Sequence, residues 1–130
     1  MKIHFINVDL EIESRDSLQS IADSFGQDVS VLGCGKWGNH YQAAFEVAGS
    51  FGDPDSMINY FCMLVESLDK NERLSWNNAF LKEFNIGYES GAEPRSYESS
   101  LRSETISRIH SVGASIKITI YPPEEASTNA

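Results

Sequence analysis

The run Gly33-Cys34-Gly35-Lys36-Trp37-Gly38 has the spacing G-x-G-x-x-G. In a dinucleotide site that spacing turns a strand into a helix, so that the pyrophosphate meets the helix N-terminus. Here the following residues, NHYQAAFEV, alternate as a strand does. Lacking the helix dipole, the run reads as a glycine-rich hairpin connection. Lys36 is not followed by Ser or Thr in the frame of a phosphate loop. His4, His40 and His110 stand apart, and no two of them have the spacing of metal ligands. No G-x-S-x-G nucleophile elbow is present, and Ser14, Ser17, Ser99, Ser100 and Ser103 fall at expected caps and loops. The expectation is therefore a chain that is not an enzyme, with no catalytic residue, no cofactor and no metal.

The sharper pattern is acidic. Asp9, Glu11 and Glu13 alternate with Val8, Leu10 and Ile12. On a strand such residues stand on one side, about 7 Å apart at two residues of ~3.4 Å rise. Glu46 and Glu89 fall in phase on two further expected strands, and Lys117 opposes them from the last. Like charges so placed repel, and a basic partner would relieve them. The same pattern also describes an ordinary solvated sheet face. Trp37 and Trp76 fall near expected turns, where a tryptophan serves as a core lid or a partner anchor.

The net charge favours fast capture of a basic partner, and it equally serves solubility alone. The 130 residues carry 19 acids against 10 bases, a net charge of −9 and a pI near 4.6. Nucleic-acid binding needs Lys and Arg to replace phosphate counterions, so a nucleic-acid partner is not expected. An anionic membrane surface is disfavoured for the same reason, and no window approaches the roughly 18 apolar residues of a membrane span. Met1 to Glu13 lacks the basic start and apolar block of a signal peptide, so a cytoplasmic location is expected. Cys34 and Cys62 form no framework and are expected as reduced thiols.

Eight segments must position these residues. KIHFINVDLEIE reads as a strand whose apolar phase shifts between Phe5 and Val8, which a bulge or burial on both faces would explain. A short helix follows, with Asp16 as its cap and Leu18, Ile21, Ala22 and Phe25 on one side. Val29 and Val31 mark a second strand, and Tyr41, Ala43, Phe45 and Val47 a third. Asp53-Pro54 opens the longest helix, whose stripe runs from Met57 to Leu68, with the polar Lys70 to Arg73 closing it. Ser75 to Lys82 is ambiguous. Phe84, Ile86 and Tyr88 form a fourth strand. Leu101, Ile106, Ile109 and Val112 form a third helix ended by Gly113, and Ile116, Ile118 and Ile120 form the last strand.

The order is β-α-β-β-α-β-α-β. The expected fold class is α+β: a ferredoxin-like split β-α-β plan with one α-β unit appended, a mainly antiparallel sheet, and helices on one face. One domain over 1–121 and a disordered acidic tail over 122–130 are expected.

The run FNIGYESGAEPRSYESSLRSETISRIHSVGASIKITIYP carries a resemblance. Phe84, Ile86, Leu101, Ile106, Ile109, Gly113, Ile118 and Tyr121 match a pattern of strand, acidic loop, helix with a late glycine, and isoleucine-rich closing strand. VDLEIES and the glycines before Trp37 fit its N-terminal half. In this the chain resembles small bacterial domains of unknown function encoded beside polymorphic toxins, and immunity proteins of contact-dependent growth inhibition. The resemblance implies a bacterial immunity protein (an antitoxin) that binds and neutralises one cognate toxin domain without catalysis. The charge argument makes that toxin a basic one, such as a nuclease. The partner-binding residues expected are Asp9, Glu11, Glu13, Glu46 and Glu89. The alternative is a small-ligand or housekeeping module with a pocket between sheet and helices.

Overall fold

A computed structural model describes residues 2–49, 51–93 and 95–123. β1 (His4–Ser14) lies at the centre of a five-stranded sheet of order β2-β3-β1-β4-β5. The other strands are β2 (Val29–Trp37), β3 (His40–Val47), β4 (Leu81–Glu89) and β5 (Ser115–Tyr121). The first four pair antiparallel, in the order of the split β-α-β plan. β5 joins β4 in parallel, which requires the crossover that α4 (Ser103–Val112) supplies. The α+β class and the appended α-β unit follow directly from this order.

Alternation explains which side is covered. Val8, Leu10 and Ile12 of β1, Ala43, Phe45 and Val47 of β3, and Phe84, Ile86 and Tyr88 of β4 are buried on one side. Against them pack α1 (Gln19–Phe25) through Ile21, Ala22 and Phe25, and α2 (Pro54–Glu66) through Met57, Ile58, Phe61, Cys62, Leu64 and Val65. Each fully buried aliphatic side chain contributes roughly 1.5–3 kcal/mol. The phase shift in β1 is a bulge: Phe5 pairs with Tyr88 and Asn7 with Gly87, leaving Ile6 as the extra residue, half exposed. A second bulge leaves Leu32 over between Val31 and Gly33.

Several elements depart from the pattern-based reading. α1 starts at Gln19 rather than after Asp16; its N-cap is Leu18, and Ser17 Oγ accepts from Gln19 N at 3.2 Å. α2 is capped as expected, with Asp53 Oδ1 accepting from Ser56 N at 2.8 Å, but it ends at Glu66. Lys70–Asn78 forms a separate helix, α3, held by one buried residue, Trp76. The glycine run is strand, not connection: β2 continues through Gly33, Cys34, Gly35 and Lys36 to Trp37, and only Gly38 and Asn39 turn the hairpin. Gly38 has φ +64°, which suits glycine at the first position of a two-residue hairpin turn. Ile116, Ile118 and Ile120 do lie on the helix side, beside Phe84, Ile86 and Tyr88, but are exposed. The reason is that α4 packs on α2 rather than over β5: Asn59 Nδ2 donates to Thr105 Oγ1 at 2.7 Å, and Arg108 clasps Glu66. Of the expected tail, residues 124–130 lie outside the described residues. Among the described residues no helix is long and apolar enough to cross a membrane.

Candidate functional site

The side of the sheet opposite the helices gathers the polar residues of every strand. β1 contributes Asn7, Asp9, Glu11 and Glu13, because they alternate with its core residues. Glu46 stands opposite Asp9 on β3, and Glu83 opposite Glu11 on β4. Glu89 lies at the far end of β4, opposite His4. All five expected residues therefore share one face. Glu83 is a sixth carboxylate that the pattern reading missed. Its signal was the alternation Glu83, Asn85, Gly87, which extends β4 back to Leu81.

These carboxylates are unevenly neutralised. Lys117 Nζ lies 3.2 Å from Glu11 Oε1 and 3.7 Å from Glu83 Oε1. That clasp raises the lysine's affinity for its proton, first through its hydrogen bond to Glu11 and then through that residue's charge. Asn85 Nδ2 donates to Glu11 Oε2 at 3.0 Å, and Thr119 Oγ1 donates to Asn85 Oδ1 at 2.7 Å. Asn7 Nδ2 donates to Glu46 Oε2 at 2.7 Å. His40 Nε2 lies 3.0 Å from Glu13 Oε1, and His4 Nε2 lies 3.2 Å from Glu89 Oε1. Lys117 is thus joined by two histidines, which oppose the acids fully only when protonated.

Asp9 is the exception. It sits at the middle of β1 between Glu46 and Asn85, and its Oδ1 is buried with no hydrogen-bond partner among the described residues. Burial first, then the charges of Glu46 and Glu11, push its carboxyl up to about 6. Such a shift marks a group that the fold leaves unrelieved.

At the β2 side the face sinks into a trough of about 530 Å³. Gly33 and Gly35 of β2 and Ala44 of β3 form its floor, because their positions point to the open side with little or no side chain, and Gln42 of β3 stands on the same side between Gly35 and Glu13. Leu32 and Trp37 stand on one side, Glu11 and Glu13 on the other. Trp37 is 67% exposed, whereas Trp76 is fully buried and donates Nε1–H to Val112 O at 2.8 Å. Of the two tryptophans, only Trp37 is placed to meet a partner. A smaller surface hollow lies by Arg15, Asn39, His40 and Phe80. The buried core lies between sheet and helices.

Among the described residues no three His, Cys, Asp or Glu side chains group to hold a metal ion. Cys34 and Cys62 are free thiols, and burial pushes Cys62 up to about 11, away from thiolate reactivity. Cys34 turns to the helix side, its Sγ 3.8 Å from Gln19 Oε1, and is raised by burial and by Asp23. His110 lies on α4, away from the other two histidines in sequence and element. Searches against protein-family models, characterised proteins and solved structures return no match to this chain.

Proposed function

We propose that the chain is a non-catalytic binding protein that docks a basic partner domain on the open face of its sheet. The observation that carries this is the group of six carboxylates on one face of the sheet, with Asp9 held beside Glu46 and its Oδ1 without a hydrogen-bond partner among the described residues. Keeping such a group is unfavourable for the isolated fold. A partner that brings Lys or Arg converts the same repulsion into attraction and accelerates encounter. The family resemblance of the C-terminal third narrows the role to an immunity protein that neutralises a cognate toxin domain. A nuclease suits such a surface, because a site that holds phosphates is itself basic.

The test is co-expression with the product of the gene immediately upstream, followed by co-purification and an assay of growth rescue. A stable complex that restores growth supports the role. With that complex in hand, the triple substitution Asp9→Asn, Glu11→Gln, Glu13→Gln keeps the shape and removes three charges. Rim charges act mainly on the association rate. Association should slow and lose much of its salt dependence. Wild-type association at low and high salt would place the binding site elsewhere.

A further inference from the structure

Two glycines stand in the middle of β2, Gly33 directly after the bulge at Leu32 and Gly35 in regular strand. Neither Gly33 nor Gly35 has a positive φ. A Cβ built on either meets nothing within 4 Å. Glycine in a strand interior weakens the strand, and any β-branched residue would serve the backbone better. Their one visible consequence is the floor of the trough: side chains at these positions would fill it. Strand glycines with free space above them mark a place where another molecule approaches the backbone closely.

The walls say what that molecule carries. β2 and β1 are separated by one strand, so the two walls stand about 10 Å apart at ~4.8 Å per strand. Trp37 offers an exposed indole on one wall. On the other, Glu11 is already engaged by Lys117 and Asn85, whereas Glu13 has His40 Nε2 3.0 Å from its Oε1 and keeps Oε2 open among the described residues. Lys36 pairs with Tyr41, so its side chain leaves β2 on the helix side, away from the trough. A planar cation that stacks on an indole while donating to the one open carboxylate oxygen is a guanidinium; a compact ammonium donates as well but stacks less well.

We infer that the trough seats an arginine side chain of the protein partner, lying on Gly33 and Gly35 between Trp37 and Glu13. This rests on the docking of a basic partner proposed above and names the contact at its centre. Arginine and tryptophan are the residues in which binding energy concentrates, so this contact outweighs the rim carboxylates around it.

The probe is the pentapeptide acetyl-Ser-Arg-Val-Arg-Ser-amide, titrated into isotope-labelled protein and followed by amide and indole resonances. Saturable shifts should centre on Gly33, Gly35 and the Trp37 indole. The lysine version should bind about tenfold more weakly, and the citrulline version should leave these signals unmoved. Gly35→Val should fold normally and abolish the shifts, since the new side chain has room and occupies the floor. Trp37→Ala, on an exposed residue, provides an independent variant and should weaken the arginine peptide more than the lysine one. Equal binding of both peptides, or shifts spread over Asp9, Glu46 and Glu83 with none at the glycines, would overturn the inference. If the cognate partner binds Gly35→Val as tightly as wild type but loses affinity for the triple carboxylate variant, the trough is wrong and the acidic docking face stands.

Discussion

Replacing Asp9 by asparagine should stabilise this protein, and only above a definite pH. A carboxyl whose folded pKa is raised binds its proton more tightly when folded than when unfolded. Ionisation therefore opposes folding. The penalty is absent below the ordinary value of 3.8, grows as pH rises from there to about 6, and is fully present above it. A rise of that size corresponds to about 3 kcal/mol between the two protonation states. Asp9 is only half-buried, so solvent screening reduces this to ~1–1.5 kcal/mol. For a chain of 130 residues each kcal/mol moves the melting temperature by about 4 °C. Asparagine keeps the shape, removes the charge beside Glu46, and supplies a donor that the buried Oδ1 position lacks. Urea denaturation of both proteins at about pH 7.5 and about pH 3.5 measures the difference. The gain should appear at the higher pH and vanish at the lower. A loss of stability at the higher pH, or an equal gain at both, would show that Asp9 is not the unrelieved charge described here.

Other side chains give sharper local readouts. Trp76→Phe removes the donor to Val112 O and should cost about 1–3 kcal/mol by urea denaturation, because a buried carbonyl is left unpaired. Arg108→Ala breaks the two contacts to Glu66, at 2.7 and 2.8 Å, and the one to Asn59 at 3.1 Å. It should leave the fold intact while hydrogen exchange in α4 quickens relative to α1. The Arg108 guanidinium holds the Glu66 carboxyl below its usual range, so this pin stabilises above the ordinary carboxylate pKa and weakens as pH falls through the lowered one. Alkylation of the native protein should modify Cys34 first and reach Cys62 only on unfolding, as peptide mass spectrometry would report.

The sheet was readable in the sequence because its faces differ so sharply. Val8, Leu10 and Ile12 against Asp9, Glu11 and Glu13 leave no choice of side, and the phase slip at Phe5 to Val8 left a bulge or burial on both faces, of which the pairing shows the bulge. The Asp53-Pro54 start of α2 and the Gly113 end of α4 were legible for local reasons: a capping side chain and a glycine at φ +76°. Tertiary facts were not. α3 carries one buried residue, Trp76, which is too little periodicity to see. Whether Ile116, Ile118 and Ile120 are covered depends on where α4 lands, and its partner Glu66 lies 42 residues before Arg108. The trough was hidden because glycines suggest turns. Only the pairing of Gly33 with Ala44 and of Gly35 with Gln42 shows them to be strand.

Each bulge also gives the chain a place where its length is negotiable. Side-chain direction along a strand is a matter of parity, so adding or removing one residue ordinarily sends everything beyond it to the wrong side. Ile6 and Leu32 are the surplus members of their pairings. Deleting Ile6 would join Phe5, on the helix side, to Asn7, on the open side. Deleting Leu32 would join Val31 to Gly33 with the same outcome. Both cuts restore plain alternation, and both remove a residue that is about half exposed. The sheet can thus shorten by one residue at two separate points while every other side chain stays on its own side. Among such shortened chains, only the loss of Leu32 would alter the rim of the trough.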